Sequence, residues 1–402
     1  MTGPLEGARV LDLTQGVAGP YATKLFSDYG AEVTKIERPG RGDAARRLGP
    51  FPRDEPHIET SGMFLHLNTG KRSVTLDLAT ATGRDLLLKL AAEADIIVES
   101  FRPGTLERLG IGPDVLAEAN PAAALVRISS FGQDGPYRDF EADDMLLYAA
   151  GGVMQVTGDP EREPIKLGLY APLFFAGCVI AGMMMGALRS SLRDGQGERV
   201  EISIHEVLTA SMDRGGPNIV AYQYSGSLMI ERIKNAVYSG LPSGVYPCAD
   251  GYVQVATQPA WFPRMCRAMG REDLLEDQRF LDNVYNPDFL PEVEAIFYPW
   301  VLSHTKQEVM EIAQAEGWPV CAINTVEDAY RDPAYRARDF FRSIEHPVAG
   351  TYEYPGLPIR FKRTPGEMRV APLLGEHTFE VLTERLSHTP EEVAILGQRG
   401  VI

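Results

Sequence analysis

The side chains in this chain that can do chemistry are few and scattered. Asp143 and Asp144 are neighbours, His205 stands beside Glu206, and Glu376 precedes His377. Acids and imidazoles move protons, and a carboxylate can also attack an acyl carbon. The surrounding patterns favour duller roles. His205 lies in an amphipathic helical stretch and reads as structural. Glu376-His377 reads as a packing and capping element, and Asp143 as a helix cap or a solvated acid. Asp143 is kept as a candidate for a relocated nucleophile, against the rule that reactive geometry tolerates little displacement. No acid lies between Glu163 and Arg189. Arg232 and Lys234 have the type to pair with a carboxylate, although long cationic side chains are mostly solvated. Cys178, Cys248, Cys266 and Cys321 show no metal-ligand spacing, and no His/Cys/acid cluster suits a metal. The four read as buried free thiols in a reducing cytoplasm.

The 402 residues suffice for two domains. A net charge of −16 excludes a nucleic-acid partner, which needs a basic face, but leaves room for a small anion held locally by Arg and backbone N–H groups. No signal peptide is recognisable. Leu167–Leu188 carries no charge and is long enough to cross a membrane. Its Pro172 and its four glycines (Gly168, Gly177, Gly182 and Gly186) point instead to a core helix packed closely on another backbone.

These groups must be positioned by an alternation of strand and helix. Ala8–Leu13, Ala31–Glu37, Ser73–Leu78, Ile96–Val98 and Ala124–Ser129 read as strands. Ala18–Gly30, Ala81–Ala94 and Thr105–Asn120 read as helices between them, which predicts parallel βαβ units in an α/β fold. Longer helices are expected over Pro172–Leu192 and Ser203–Tyr224. A second compositional unit begins near Arg232, with a hairpin turning at Asp250-Gly251 and a strand in Trp318–Asn324. Short strands and one terminal helix follow Asp339.

Four segments share an order and spacing with a known family: Arg127-Ile-Ser-Ser-Phe-Gly-Gln-Asp-Gly-Pro136, Ala142-Asp-Asp144, Gly151-Gly-Val-Met-Gln-Val-Thr-Gly158 and Gly168-Leu-Tyr-Ala-Pro-Leu-Phe-Phe-Ala-Gly177. Leu5–Leu13 with Ala18-Gly-Pro20, Lys35–Gly40, Asn68–Leu76, Asp95–Gly104, Gly317–Val320, Asp332-Pro333 and Pro372–Thr378 extend the pattern almost end to end. Together they resemble the class III, formyl-CoA transferase-like CoA-transferases. The resemblance implies a Rossmann-like large domain (1–225, returning at 335–402) and a smaller α+β domain (232–325), in an obligate dimer whose chains interlock. It implies acyl-CoA as substrate with no permanently bound cofactor. It also implies that Gln15, Gly16, Val17 and Ala18, together with Arg38, Leu76, Ser100, Phe101 and Arg108, hold the nucleotide half of CoA. Ser100 departs from the family's usual Asn.

In this family an Asp attacks the thioester, and Gly168–Gly177 aligns with its motif without a gap. Leu173 occupies the Asp position. Asp144 matches an acid read as structural, and Asp143 stands where the related α-methylacyl-CoA racemases carry a His. The first expectation is therefore the nucleophile-lacking subunit of a heteromeric CoA-transferase, comparable with the succinyl-CoA:benzylsuccinate type. A homodimeric isomerase or lyase acting on acyl-CoA, and a noncatalytic CoA-ester-binding protein, are the alternatives. No membrane partner is expected.

Overall fold

The computed structural model describes residues 3–212, 215–229, 231–232 and 239–402. Its main sheet is parallel throughout. The strands are β1 (Arg9–Leu13), β2 (Glu32–Glu37), β3 (Arg72–Thr75), β4 (Ile96–Glu99), β5 (Ala124–Ser129) and β6 (Arg199–Ser203), lying side by side in the order β3-β2-β1-β4-β5-β6. Their residues alternate between two apolar layers. Val10, Val33, Ile96, Val98 and Val126 face one layer, and Leu11, Leu13, Ile36, Ile97 and Leu125 face the other. A parallel sheet covered on both faces needs this near-continuous apolar sequence.

Two expected helices are each divided in the structure, and one strand is new. Thr105–Asn120 is two short helices, Thr105–Arg108 and Pro113–Ala119, because Gly110 takes a left-handed φ of 74° and Pro113 starts a new helix. The expected helix Ser203–Tyr224 is likewise two, Ile204–Ser211 and Gly216–Ser225. Strand β6 was not anticipated: its alternation lasts only five residues and runs straight into a helix capped by Ser203.

The chain divides into two compact units: Met1–Val156 with Ile165–Ile230 and Arg338–Ile402, and Thr157–Pro164 with Glu231–Ala337. The second holds an antiparallel sheet of β7 (Gly244–Cys248), β8 (Gly251–Val255) and β9 (Val320–Ala322). Its core centres on Tyr246, Val253, Phe297 and Trp318, and the Trp318 indole donates to Thr257 Oγ1 at 2.9 Å. In the first unit, β10 (Phe341–His346) and β11 (Gly350–Pro355) form a separate hairpin.

The long apolar helix spans Ala171–Asp194. It was expected to be buried all round, but only one face is. Ala176, Ile180, Met184 and Leu188 lie in the sheet's core, whereas Met183, Met185 and Leu192 are exposed. Gly177 lets it cross the helix Ala18–Asp28, since a Cβ at this glycine would lie 2.8 Å from the Ala18 carbonyl oxygen. Of the four thiols expected to be buried, Cys248 and Cys266 are; Cys178 and Cys321 are exposed, because each sits on an outward-facing position of its helix or strand. Gly177→Ala should lower stability by about 1–3 kcal/mol through overpacking, outweighing the ~1 kcal/mol alanine gains in helix propensity. Denaturant unfolding measures this, and an unchanged or raised midpoint would contradict the crossing.

Candidate active site

The strand order reverses between β1 and β4, and in open α/β sheets ligands bind outside the strand ends at such a point. The loop there is built on a buried carboxylate, Asp12 in β1. Asp12 Oδ1 accepts from the Thr14 amide at 2.8 Å and from Thr14 Oγ1 at 2.5 Å. Oδ2 accepts from Thr23 Oγ1 at 2.7 Å and from Lys71 Nζ at 3.1 Å. Lys71 also donates to Pro20 O, Thr23 Oγ1 and Asn68 Oδ1. Lys35 donates to the Thr14 carbonyl at 2.7 Å and pairs with Asp43, also at 2.7 Å. Asp43 Oδ1 in turn accepts from the Gly16 amide at 2.9 Å. Burial pushes the Asp12 carboxyl up, but Lys35, Lys71 and the two threonines outweigh it and hold the group well below the usual carboxylate range. Burial pulls Lys71 down to about 8, against the attraction of Asp12.

Gln15, Gly16, Val17 and Ala18 thus form a loop fixed from behind. The Gln15 amide donates to Ser100 Oγ at 2.9 Å, tying the ends of β1 and β4 together. Gly16 has a φ of 79°, which favours glycine. Two of the amides expected for an anion are therefore committed inside the protein. No side chain caps the following helix at Val17, and because Pro20 has no N–H, the uncapped donors of its first turn are the amides of Ala18 and Gly19. The Val17 and Ala18 side chains are buried, which leaves only their backbone for contact.

The other sequence candidates divide into two groups. Ser100, Phe101 and Arg108 line one cleft of about 300 Å³, together with Arg102, Arg138 and Phe140. Arg38 and Leu76 lie outside that cleft. Arg38 is exposed just past β2, and its carbonyl closes a turn onto Arg41 and Gly42. The Leu76 side chain is 2% exposed and belongs to the core, so only its main chain could meet a ligand. Arg102, Arg138 and Phe140 were missed from sequence. The signal was weak, since Arg138 lies thirty-odd positions from the Arg102–Arg108 run and only the fold joins them.

Leu173 is the third residue of the helix Ala171–Asp194 and packs, half-buried, against two apolar clusters. Nearby stand Phe174, Tyr21 and His66, with the Tyr21 and Phe174 rings 4.8 Å apart. Asp143 is exposed and caps the helix Asp144–Ala150, accepting from the Leu146 amide at 2.9 Å. Asp144 is buried and pairs with Lys166 at 2.6 Å. Lys166 also donates to the Leu169 carbonyl, which fixes the approach to Leu173. His205 lies against Phe131, 5.5 Å between ring centres. Glu376 accepts from the Leu373 amide, and His377 Nδ1 from the Ser73 amide. Arg232 donates to the carbonyls of Asp159 and Arg162, and Lys234 lies outside the described residues. Among the described residues no group of three metal-ligating side chains comes together.

Asp12→Asn should cost about 3–5 kcal/mol at neutral pH, because it leaves two buried ammonium groups short of a partner. The folded-state pKa of Asp12 is depressed, so its contribution is fully present above the unfolded value of about 3.9 and drains as pH falls below it. The gap between wild type and variant, read by denaturation across pH 2–7, should therefore narrow only below about pH 4. A gap that does not change with pH would contradict the ion-pair account.

Residues 5–378 match the model of CoA-transferase family III. The chain is 34% identical to the succinyl-CoA–D-citramalate CoA-transferase of Chloroflexus aurantiacus, over 99% of this chain and 98% of that one. It is also 34% identical to the alpha subunit of that organism's succinyl-CoA–L-malate CoA-transferase (99% of this chain, 92% of that one) and 32% identical to the beta subunit (100% and 98%). A crystallised CAIB/BAIF family protein from Brucella suis superposes with a TM-score of 0.84 at 28% identity, covering 96% of this chain and 100% of that one. With the switch-point crevice, the family motifs and these matches in agreement, the chain belongs to CoA-transferase family III.

Proposed function

We propose that this chain is the non-nucleophilic member of a CoA-transferase built from two related chains, moving CoA from an acyl-CoA, with succinyl-CoA the leading donor, to a carboxylic acid. One observation carries this reading: Leu173 stands in the first turn of the long helix where the family motif has its reactive acid. In the transfer, a carboxylate oxygen attacks the thioester carbon, the C–S bond breaks, and CoA leaves as thiolate, with a mixed anhydride of the acyl group and the enzyme's carboxyl left behind. The thiolate then attacks the enzyme's own acyl carbon to give an enzyme-bound CoA thioester and free acid, and the acceptor acid takes over the CoA. A leucine side chain has no lone pair for the first step. Asp143 is a poor substitute, since its carboxylate is occupied as a helix cap.

On this reading the large domain (1–225 and 335–402) holds the nucleotide half of CoA at Gln15–Ala18, Arg38, Ser100, Phe101 and Arg108, with Leu76 contributing main chain only. The related chain supplies the nucleophile and interlocks with this one. The similarity to both alpha and beta subunits of one transferase supports a two-chain enzyme. So do the apolar side chains left on the surface by Met183, Met185, Leu192, Ile219, Tyr222 and Tyr224, which a second chain would cover. Four free cysteines suit a reducing cytoplasm.

Native mass spectrometry of tagged protein purified from its own organism tests the assembly. The expected result is a second, related chain with Asp at the position of Leu173. A homodimer of this chain alone would overturn the proposal and redirect attention to acyl-CoA chemistry that needs no carboxylate there.

A further inference from the structure

At the opposite end of the sheet from the crevice, where β1, β2 and β3 begin, lies a cleft of about 460 Å³. Each of these strands starts on a charged residue: Arg9, Glu32 and Arg72. Arg369, from the segment that returns after β11, lines the cleft with them, and Glu32 is the one acid in that lining among the described residues. Glu32 is already engaged, since its Oε1 accepts from Arg385 at 2.8 Å and from Arg72 at 3.4 Å, and Arg72 also pairs with Glu380. Arg9 and Arg369 are different. Both are exposed, and among the described residues neither guanidinium meets a carboxylate, the ion pairs of Glu32 going to Arg72 and Arg385. Arg9 reaches Asp95 only through its backbone N–H, at 2.8 Å. Gly70, just before β3, forms the floor, and its amide donates to the Val370 carbonyl at 3.1 Å, which sets Arg369 beside it. A Cβ on Gly70 would lie 2.7 Å from Ser27 Oγ and 3.6 Å from Arg369 Nε. Ser27 is 1% exposed, and its hydroxyl has no hydrogen-bond partner among the described residues. A buried hydroxyl without a partner is rare in folded proteins, and this one leaves a donor at the floor of the cleft.

We infer that this cleft binds a small dicarboxylate, clasped by Arg9 on one side and Arg369 on the other. The guanidinium fork matches a carboxylate, and two cations without counter-ions favour a ligand with two negative charges. Arg9 stands on β1 and Arg369 beside the start of β3, with β2 between them. Neighbouring strands lie about 4.8 Å apart, so the two anchors are roughly 10 Å apart at the backbone. That spacing suits a ligand with a carboxylate at each end over the single charged centre of a phosphate. Glu32, between the anchors, disfavours negative charge at the middle of the ligand and so favours an uncharged linker there. The cleft opens at the strand starts, so the acid does not compete with CoA at the strand ends. Binding would tie the returning segment to β1 and thereby stabilise the folded chain. The inference goes beyond the transfer reaction and does not depend on which chain carries the nucleophile.

Succinate is the probe, added to the full chain as purified with whatever related chain accompanies it, and read by calorimetry and by the thermal unfolding midpoint. Wild type should bind succinate saturably and unfold at a higher temperature as it saturates. Acetate and inorganic phosphate at matched ionic strength should do neither. Arg9→Gln and Arg369→Gln should each weaken succinate binding about ten- to hundredfold, the worth of hydrogen bonds to a charged group. Both variants should unfold at the wild-type midpoint without ligand, because neither side chain has a partner to lose. Arg369→Lys should keep part of the affinity, and saturating CoA should leave wild-type affinity unchanged. Succinate binding that survives in both glutamine variants, or that CoA abolishes, would overturn the cleft as its site. Phosphate binding as tightly as succinate would overturn the dicarboxylate assignment, and a wild type that binds no succinate would overturn the inference outright.

Discussion

A carboxylate buried under the end of the first strand organises this molecule. Asp12 cannot stay ionised in the core without compensation, and the sequence provides it from three directions: Lys35 on β2, Lys71 just before β3, and Thr14 and Thr23 on either side of the loop. Each partner also grips the backbone or a second acid. Lys35 holds the Thr14 carbonyl and Asp43, and Asp43 holds the Gly16 amide. The Gln15–Ala18 loop is therefore held from behind without any ligand, which on the proposed reading lowers the ordering cost of binding CoA.

Much of the fold was legible in the sequence because parallel strands buried on both faces are nearly continuous apolar runs. Ala124–Ser129 was placed to the residue, and Arg9–Leu13, Glu32–Glu37 and Ile96–Glu99 to within one. Strand β6 was hidden because it is short and lies at the sheet's edge, where half its side chains face solvent. The helices Thr105–Arg108 and Pro113–Ala119 were fused because apolar spacing persists across Gly110 and Gly112, and spacing does not register a left-handed glycine. The family resemblance named Asn68–Leu76 as a hallmark but gave no reason for Lys71. Four hydrogen bonds to partners from Asp12 to Asn68 supply it.

The crevice where the strand order reverses was legible in part for the same reason. Residues close in sequence to a strand end, such as Gln15–Ala18 and Ser100–Phe101, fall beside that crevice once the strands are placed. Leu76 did not carry over as a side chain, because its position next to β3 turns it into the core. Arg138 could not be reached at all, since its approach to Arg108 depends on how the loop after β5 folds back. The apolar residue at 173 was plain in the sequence. The structure adds that Leu173 packs, half-buried, against two hydrophobic clusters.

The most direct test of a chain that holds CoA without attacking its ester is intact-protein mass spectrometry of the native complex, quenched during turnover with the succinyl-CoA donor. The account predicts a CoA thioester adduct on the related chain and an unmodified mass for this one. An adduct on this chain, wherever it maps, would contradict it.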